Sequence, residues 1–239
     1  QVIAPSKGEG IVIWTLEDIT INGGQVTVTS NDGPKGIYAE RDVTINGGQV
    51  MVTETNCQDG IYADRDVTIN GGQVIATVKK GSGINVRGNV TISGGQVEAN
   101  GKYGIMATGY KDNQNNIWVD GNVTISGGKV TATGTKDSGI GIEAYNDIFI
   151  SGGQVEATGT RCGILCNNSD YIARTITLGW SSVSNYIKAS SIDFFIAAIG
   201  TVKITQGKYF FVDGTTTVLG SAAADYKLSA HELTAIAGK

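Results

Sequence analysis

Apolar residues along this chain come in short bursts of two or three positions, set between polar ones, and the same bursts recur. VTI stands at 43–45, 67–69, 90–92 and 123–125, and each time a glycine pair follows and then QV or KV with further alternating apolar positions. A third kind of burst, GI-x-A or close to it, stands at 36–39, 60–63, 104–107 and 163–166. Alternation with period two, carried largely by valine, isoleucine and threonine, is the signature of half-buried strands. No burst has the length or the 3.6-residue period of a helix.

The bursts recur with a fixed period. RDVTINGGQV at 41–50 returns letter for letter at 65–74, and INGGQV, ISGGQV or ISGGKV marks 21–26, 45–50, 69–74, 92–97, 125–130 and 150–155. LGWSSV at 178–183 and ITQGKY at 204–209 are weaker copies. Self-similarity at 20 to 50 residues means a solenoid, in which each repeat buries its apolar face against its neighbours. Three strands in about 24 residues predict an all-β fold, a right-handed single-stranded parallel β-helix of about eight courses over 1–212. Three inward ladders follow: Ile37, Ile61, Ile84, Ile105, Ile140 and Ile164; Val43, Val67, Val90, Val123 and Ile148; Val26, Val50, Val74, Val97, Val130 and Val155. Gly-Gly supplies the bend before the third strand. Asn22, Asn46 and Asn70 stand at that corner, where asparagine tolerates a left-handed backbone and stacked amides bond to one another. Gln25, Gln49, Gln73, Gln96 and Gln154 form an outer amide column. Residues 213–239 are less regular and read as a C-terminal cap or the end of the same domain, with a short helix suggested by Ser229 and Glu232. Residues 2–14 would cover the first course.

Composition narrows the function. Glycine reaches 35 residues against two prolines, and the apolar share of 40% excludes a disordered or collagen-like chain. A net charge of −4 with charged residues at 17% excludes the basic footprint of a nucleic-acid binder. No apolar run approaches the roughly 20 residues of a membrane helix. The N-terminal QVIAPSKGEG lacks the charged and apolar regions of a signal peptide, so the reading is of a secreted or cell-surface protein whose leader lies outside this stretch. Such a chain could be part of a longer surface protein. Cys57, Cys162 and Cys166 read as unpaired structural thiols, and the single histidine, His231, disfavours histidine triads and multi-histidine zinc sites. Carboxylate pairs repeat with the courses, so no unique catalytic pair stands out.

Three places carry candidate chemistry. Asp18, Asp42, Asp66 and Asp147 share one register with Asn89 and Asn122, and Glu40 and Asp64 stand two residues upstream of Asp42 and Asp66. Carboxylates stacked about 5 Å apart repel unless a cation lies between them. Oxygen ligands of this kind suit Ca²⁺; the alternative is a charge ladder or turn-capping column neutralised by Arg41 and Arg65. The insertion TGYKDNQNNIWVDG at 108–121 offers Tyr110, Asp112, Asn115 and Trp118, either as a sugar-contacting loop or as a loop pinned to the body by Trp118. Tyr38 and Tyr62 stack in one outward register, as a sugar platform or as a cross-strand aromatic pair.

DGIYADRDVTINGGQVIAT at 59–77 resembles the repeats of a family of secreted bacterial β-helix proteins described as carbohydrate-binding-domain-containing, whose courses read roughly DGIDADGDITITGGTVTVTS. The likeness spans roughly residues 10–160. It implies a non-catalytic binder of acidic plant polysaccharide such as pectin, with bound calcium, and Asp59, Asp64 and Asp66 match the family's acidic positions. Tyr62 stands where the family has Asp, Glu40 replaces the Asp equivalent to Asp64, and Asn89 and Asn122 are neutral. The leading expectation is calcium-assisted extracellular binding of a polysaccharide or cell-surface glycan. A polysaccharide lyase or glycoside hydrolase on the same fold is the first alternative, and a structural stalk or adhesin segment the second.

Overall fold

The computed structural model describes residues 2–6, 13–30, 34–54, 58–112, 116–119, 121–166, 174–179, 185–190, 194–198, 200–206, 210–212, 215–217 and 226–229. Within them the chain is an all-β parallel solenoid of about six turns, with three parallel sheets and no helix. One course shows the plan: Asp59–Ala63, then Val67–Ile69, then Gln73–Val78, before Ser82–Val86 starts the next. These three strand types build an eight-stranded GI sheet, a nine-stranded VTI sheet and a ten-stranded QV sheet. None could bury its apolar side alone; stacked, they enclose one continuous core in which Ile61, Val67, Ile69, Val74 and Ala76 are fully buried. Each such valine or isoleucine contributes roughly 1.5 to 3 kcal/mol relative to exposure.

The two valine ladders stand as expected, with Val43, Val67, Val90, Val123 and Ile148 in one register and Val26 through Val155 in another. The isoleucine ladder differs at one rung. Ile105 pairs with Ile142, not Ile140, and Ile142 pairs on to Ile164. The segment 139–142 reads GIGI, so period-two patterning fits either isoleucine. The structure spends Gly139 in a turn closed by its N–H on the Lys136 carbonyl (2.6 Å), which pushes the strand start to Ile140. Ile140 then sits opposite Tyr103 in a separate small apolar cluster with Cys162 and Leu165.

The corner before each QV strand is built from two glycines with different duties. Gly48 and Gly72 take φ of +83° and +81°. A Cβ on Gly72 would also come within 2.6 Å of the Gly48 carbonyl oxygen one course earlier. Glycine, not asparagine, therefore takes the left-handed conformation, since among the described residues only Asn116 and Ser138 do so without being glycine. The asparagines do stack: Asn46 Nδ2 donates to Asn22 Oδ1 at 2.7 Å, Asn70 Nδ2 to Asn46 Oδ1 at 2.8 Å, and Ser93 Oγ to Asn70 Oδ1 at 2.9 Å. Gln25, Gln49 and Gln73 form the matching amide column at 2.9 and 2.8 Å, and Lys129 interrupts it between Gln96 and Gln154.

At the N-terminal end, Val2–Ser6 pairs with Gln25–Ser30, and Ile13–Thr15 is the first strand of the GI sheet. Toward the other end, Tyr226–Ser229 runs antiparallel to Gly200–Gln206, and Thr215–Thr217 antiparallel to Phe210–Val212. The helix expected after Ser229 lies outside the described residues. Among the described residues no helix is long and apolar enough to cross a membrane.

Candidate functional site

On the GI strands Lys35–Ala39 and Asp59–Ala63 the Gly, Ile and final Ala are buried, while the fourth position, a tyrosine, is partly exposed. The fourth positions of successive courses are in register: Trp14 beside Tyr38, Tyr38 beside Tyr62, Tyr62 beside Asn85. Three aromatic side chains therefore stand in one column, and Trp14 is 53% exposed. The Tyr38 and Tyr62 rings meet edge to face, with centroids 5.3 Å apart and planes at 71°.

Polar groups from neighbouring positions fix these rings. Lys35 Nζ lies 3.8 Å from the Tyr38 ring centre and 3.2 Å from that of Tyr62, a double cation–π contact. Asp64, just past the end of its strand, accepts from both phenols, Tyr38 at 2.5 Å on Oδ2 and Tyr62 at 3.1 Å on Oδ1. Arg87, one course further on, bonds to the same carboxylate at 3.1 Å. Burial and the Asp64 carboxylate raise both phenol pKa values, so both hydroxyls remain neutral donors at physiological pH. Burial lowers the Lys35 pKa, opposed by Asp64 and Asp59. Asp59 itself is buried, which raises its pKa against the hydrogen bonds it accepts from Ser82 N–H and Asn85 Nδ2, both at 3.1 Å. Asn85 Oδ1 is buried without a hydrogen-bond partner.

The acidic column has a local structural duty. Asp18 Oδ1 accepts the Asp42 backbone N–H at 3.2 Å, Asp42 Oδ1 that of Asp66 at 3.0 Å, and Asp66 Oδ1 that of Asn89 at 2.7 Å. Asn89 Oδ1 caps Asn122, Asn122 Oδ1 caps Asp147, and Asp147 Oδ1 caps Thr175. Each side chain thus satisfies a corner N–H that the parallel ladders leave over. Carboxylate and carboxamide serve equally, because only one acceptor oxygen is needed, and this accounts for Asn89 and Asn122 in an aspartate register. At the exposed end, Arg41 bonds to Glu17 at 2.5 Å and lies 3.6 Å from Asp18.

Asp42, Asp59, Asp64 and Asp66 are each engaged by groups of the protein itself. Both Asp64 oxygens hold phenols or Arg87, Asp59 turns to Ser82 and Asn85, and Asp42 and Asp66 each use Oδ1 on the next course. Among the described residues no three His, Cys, Asp or Glu side chains converge on a common metal position.

The insertion is a β-hairpin, Tyr110–Asp112 against Ile117–Val119, with Lys111 opposite Trp118. Tyr110 is half-buried. Asn115 and the side chains of Asp112 and Trp118 lie outside the described residues. Cys162 and Cys166 are buried and not joined in a disulfide, and burial pushes the Cys166 thiol up to about 12. Cys57 lies outside the described residues.

Trp14 and Lys35 are members of this cluster that the sequence did not single out, and Arg87 stood in it only as one of several possible bases for a lyase. The signal was present: Trp14, Tyr38 and Tyr62 are spaced by one 24-residue period. It was hidden because VIWT at 12–15 replaces the GI-x-A word in the first course.

A family model described as carbohydrate-binding domain-containing protein matches residues 27–225, well over half of the chain. No curated protein and no solved structure matches the chain. The matched segment takes in both tyrosines, Asp64 and Arg87, and on its extent the chain belongs to the family of carbohydrate-binding domain-containing proteins.

Proposed function

We propose that this protein is a non-catalytic polysaccharide-binding module that holds its glycan on the outer face of the GI sheet, along Trp14, Tyr38 and Tyr62. The carrying observation is the aromatic column, in register over three successive strands and flanked by Lys35, Arg87 and Asn85. Flat rings take up the apolar faces of sugars while adjacent donors and acceptors bind hydroxyls. Trp14 offers the most open ring; one approach to the tyrosines is occupied by the Lys35 ammonium. Lys35 and Arg87 beside the rings favour a glycan bearing carboxylates, in line with the resemblance to binders of acidic plant polysaccharide. The same reading places the protein outside the cell, on a right-handed stack of eight courses that runs through Phe194–Ala198 and Gly200–Gln206. Calcium assistance belongs to this proposal through the ligand, since a cation can bridge glycan carboxylates to the acidic corner.

The test is affinity electrophoresis of the full chain in gels containing polygalacturonate, xylan or neutral glucan, with calcium and with EDTA. Retardation by at least one glycan is expected, and Trp14→Ala should weaken it about tenfold, near 1.4 kcal/mol. Release of reducing ends or unsaturated products would replace the reading with an enzyme. Retardation unchanged in Trp14→Ala would remove the aromatic column from the site. Loss in EDTA would assign calcium a role.

A further inference from the structure

The turns that lead from the QV sheet into the GI sheet stack as the strands do. Lys102 N–H donates to the Gly81 carbonyl at 2.6 Å, Thr135 N–H to Gly101 at 2.8 Å, Ile140 N–H to Lys102 at 3.2 Å and Arg161 N–H to Gly139 at 2.9 Å. The Thr160 hydroxyl accepts the Gly139 N–H at 2.7 Å and donates to the Lys136 carbonyl, so the last two turns hold each other in place. Stacking brings Lys80, Lys102 and Lys136, from three successive turns, around one shallow, open depression of about 610 Å³, whose lining is completed by Thr135, Asp137 and Thr160.

Two arginines elsewhere on the molecule are held in ion pairs. Arg41 is matched by Glu17 and Asp18, and Arg87 by Asp64. Among the described residues none of the three lysines has a carboxylate within ion-pair distance, although Asp137 shares the lining. Like charges on neighbouring strands repel, and successive courses are only about 4.8 Å apart. On a chain of net charge −4, three ammonium groups without an ion pair around one depression, that of Lys102 also 5.2 Å from the Tyr103 ring centre, are placed for an anion from outside. Their origin in successive courses suits a ligand whose anionic groups also repeat.

We propose that this cleft is a binding site for a linear anionic saccharide, its carboxylates or sulfate esters meeting Lys80, Lys102 and Lys136 in turn, with no metal ion required. The cleft lies among the turns at the edge of the GI sheet and does not depend on the aromatic column.

Titration of the full chain with polygalacturonate, dextran sulfate and neutral dextran, all in EDTA, tests it. At least one polyanion should bind and neutral dextran should not. The variant K80A/K102A/K136A, its fold checked by circular dichroism, should bind at least tenfold more weakly. Its dependence of log Kd on log salt should flatten by about two, as expected when phosphate-like contacts are removed from a polyanion site. Lys129→Ala, on the QV sheet, should leave binding unchanged. Preference for polygalacturonate or for dextran sulfate identifies which anion the site takes. Wild-type binding by the triple variant, or no polyanion binding in EDTA, overturns the proposal. Equal affinity for single-stranded DNA of matched charge overturns its assignment to a saccharide. Loss of polyanion binding in Trp14→Ala but not in the triple variant would sink the cleft and leave the aromatic face standing; the reverse pattern would do the opposite.

Discussion

Asp66 shows how little of a residue's role its charge reveals. Its neighbours in the column are carboxylates on one side and amides on the other, and what they share is a single oxygen aimed at the backbone N–H one course on. Removing that oxygen leaves the Asn89 N–H in a partly buried corner without its acceptor, a loss of about 1 to 3 kcal/mol. Asp66→Ala should therefore lower the Tm by on the order of 5 °C, whereas Asp66→Asn should leave it nearly unchanged. Thermal melts of the two variants decide the matter: if Asp66→Asn is as damaging as Asp66→Ala, charge is what the column needs, and capping is the wrong account. The acidic register itself was legible in the sequence. Its duty was not, because a repeating Asp reads alike as a cation ligand and as a cap until the donor at 2.7 Å is seen.

At the level of the element, the Gly-Gly corner is where the strand-to-strand bend is decided. Gly72 needs both a left-handed backbone and the absence of a Cβ, since the Gly48 carbonyl lies 2.6 Å from where that carbon would stand. Gly23, the first glycine of the outermost corner, has no left-handed backbone to hold, and a Cβ there would meet nothing within 4 Å. Gly72→Ala should cost at least about 2 kcal/mol, the left-handed penalty plus the clash. Gly23→Ala should stay within about 0.5 kcal/mol of the wild type. Urea unfolding of the pair measures both, and comparable losses would show that the repeat holds its glycines for a reason other than stacking. Strand type and ladder membership were readable from period-two patterning wherever one register was possible. GIGI at 139–142 allowed two, and the turn at Gly139 chose between them.

For the molecule as a whole, the solenoid carries its irregularities outside the stack. The insertion after Ala107 leaves and re-enters the corner at nearly one point, since a Cβ on Gly121 would lie 2.6 Å from the Gly109 nitrogen. Thr108 N–H still bonds to the Val86 carbonyl at 2.8 Å, and Asn122 N–H to Asn89 Oδ1 at 3.1 Å. Deleting residues 109–120 leaves Ala107-Thr108-Gly121-Asn122-Val123, the same plan as Val86-Arg87-Gly88-Asn89-Val90 one course earlier. Because a repeat contacts mainly its neighbours, the deletion should fold with a stability change of about 1 kcal/mol or less. Its Tm and far-ultraviolet circular dichroism test this, and loss of the cooperative transition would mean that the hairpin holds the stack together. The sequence by itself determined the architecture, because a 24-residue period of β-branched alternation has one economical way to bury its apolar faces. It also placed the bends and two of the three inner ladders. The pairing of Tyr38 with Tyr62 and the outer amide columns were legible as well, and only the tertiary structure decided the remaining outward contacts. Trp14, Tyr38 and Tyr62 on one face, and Lys80, Lys102 and Lys136 around one depression, become neighbours because stacking sets residues 22 to 34 positions apart in sequence beside one another. Outward positions carry no packing constraint that would mark them in the chain, so their partnership is a property of the stack.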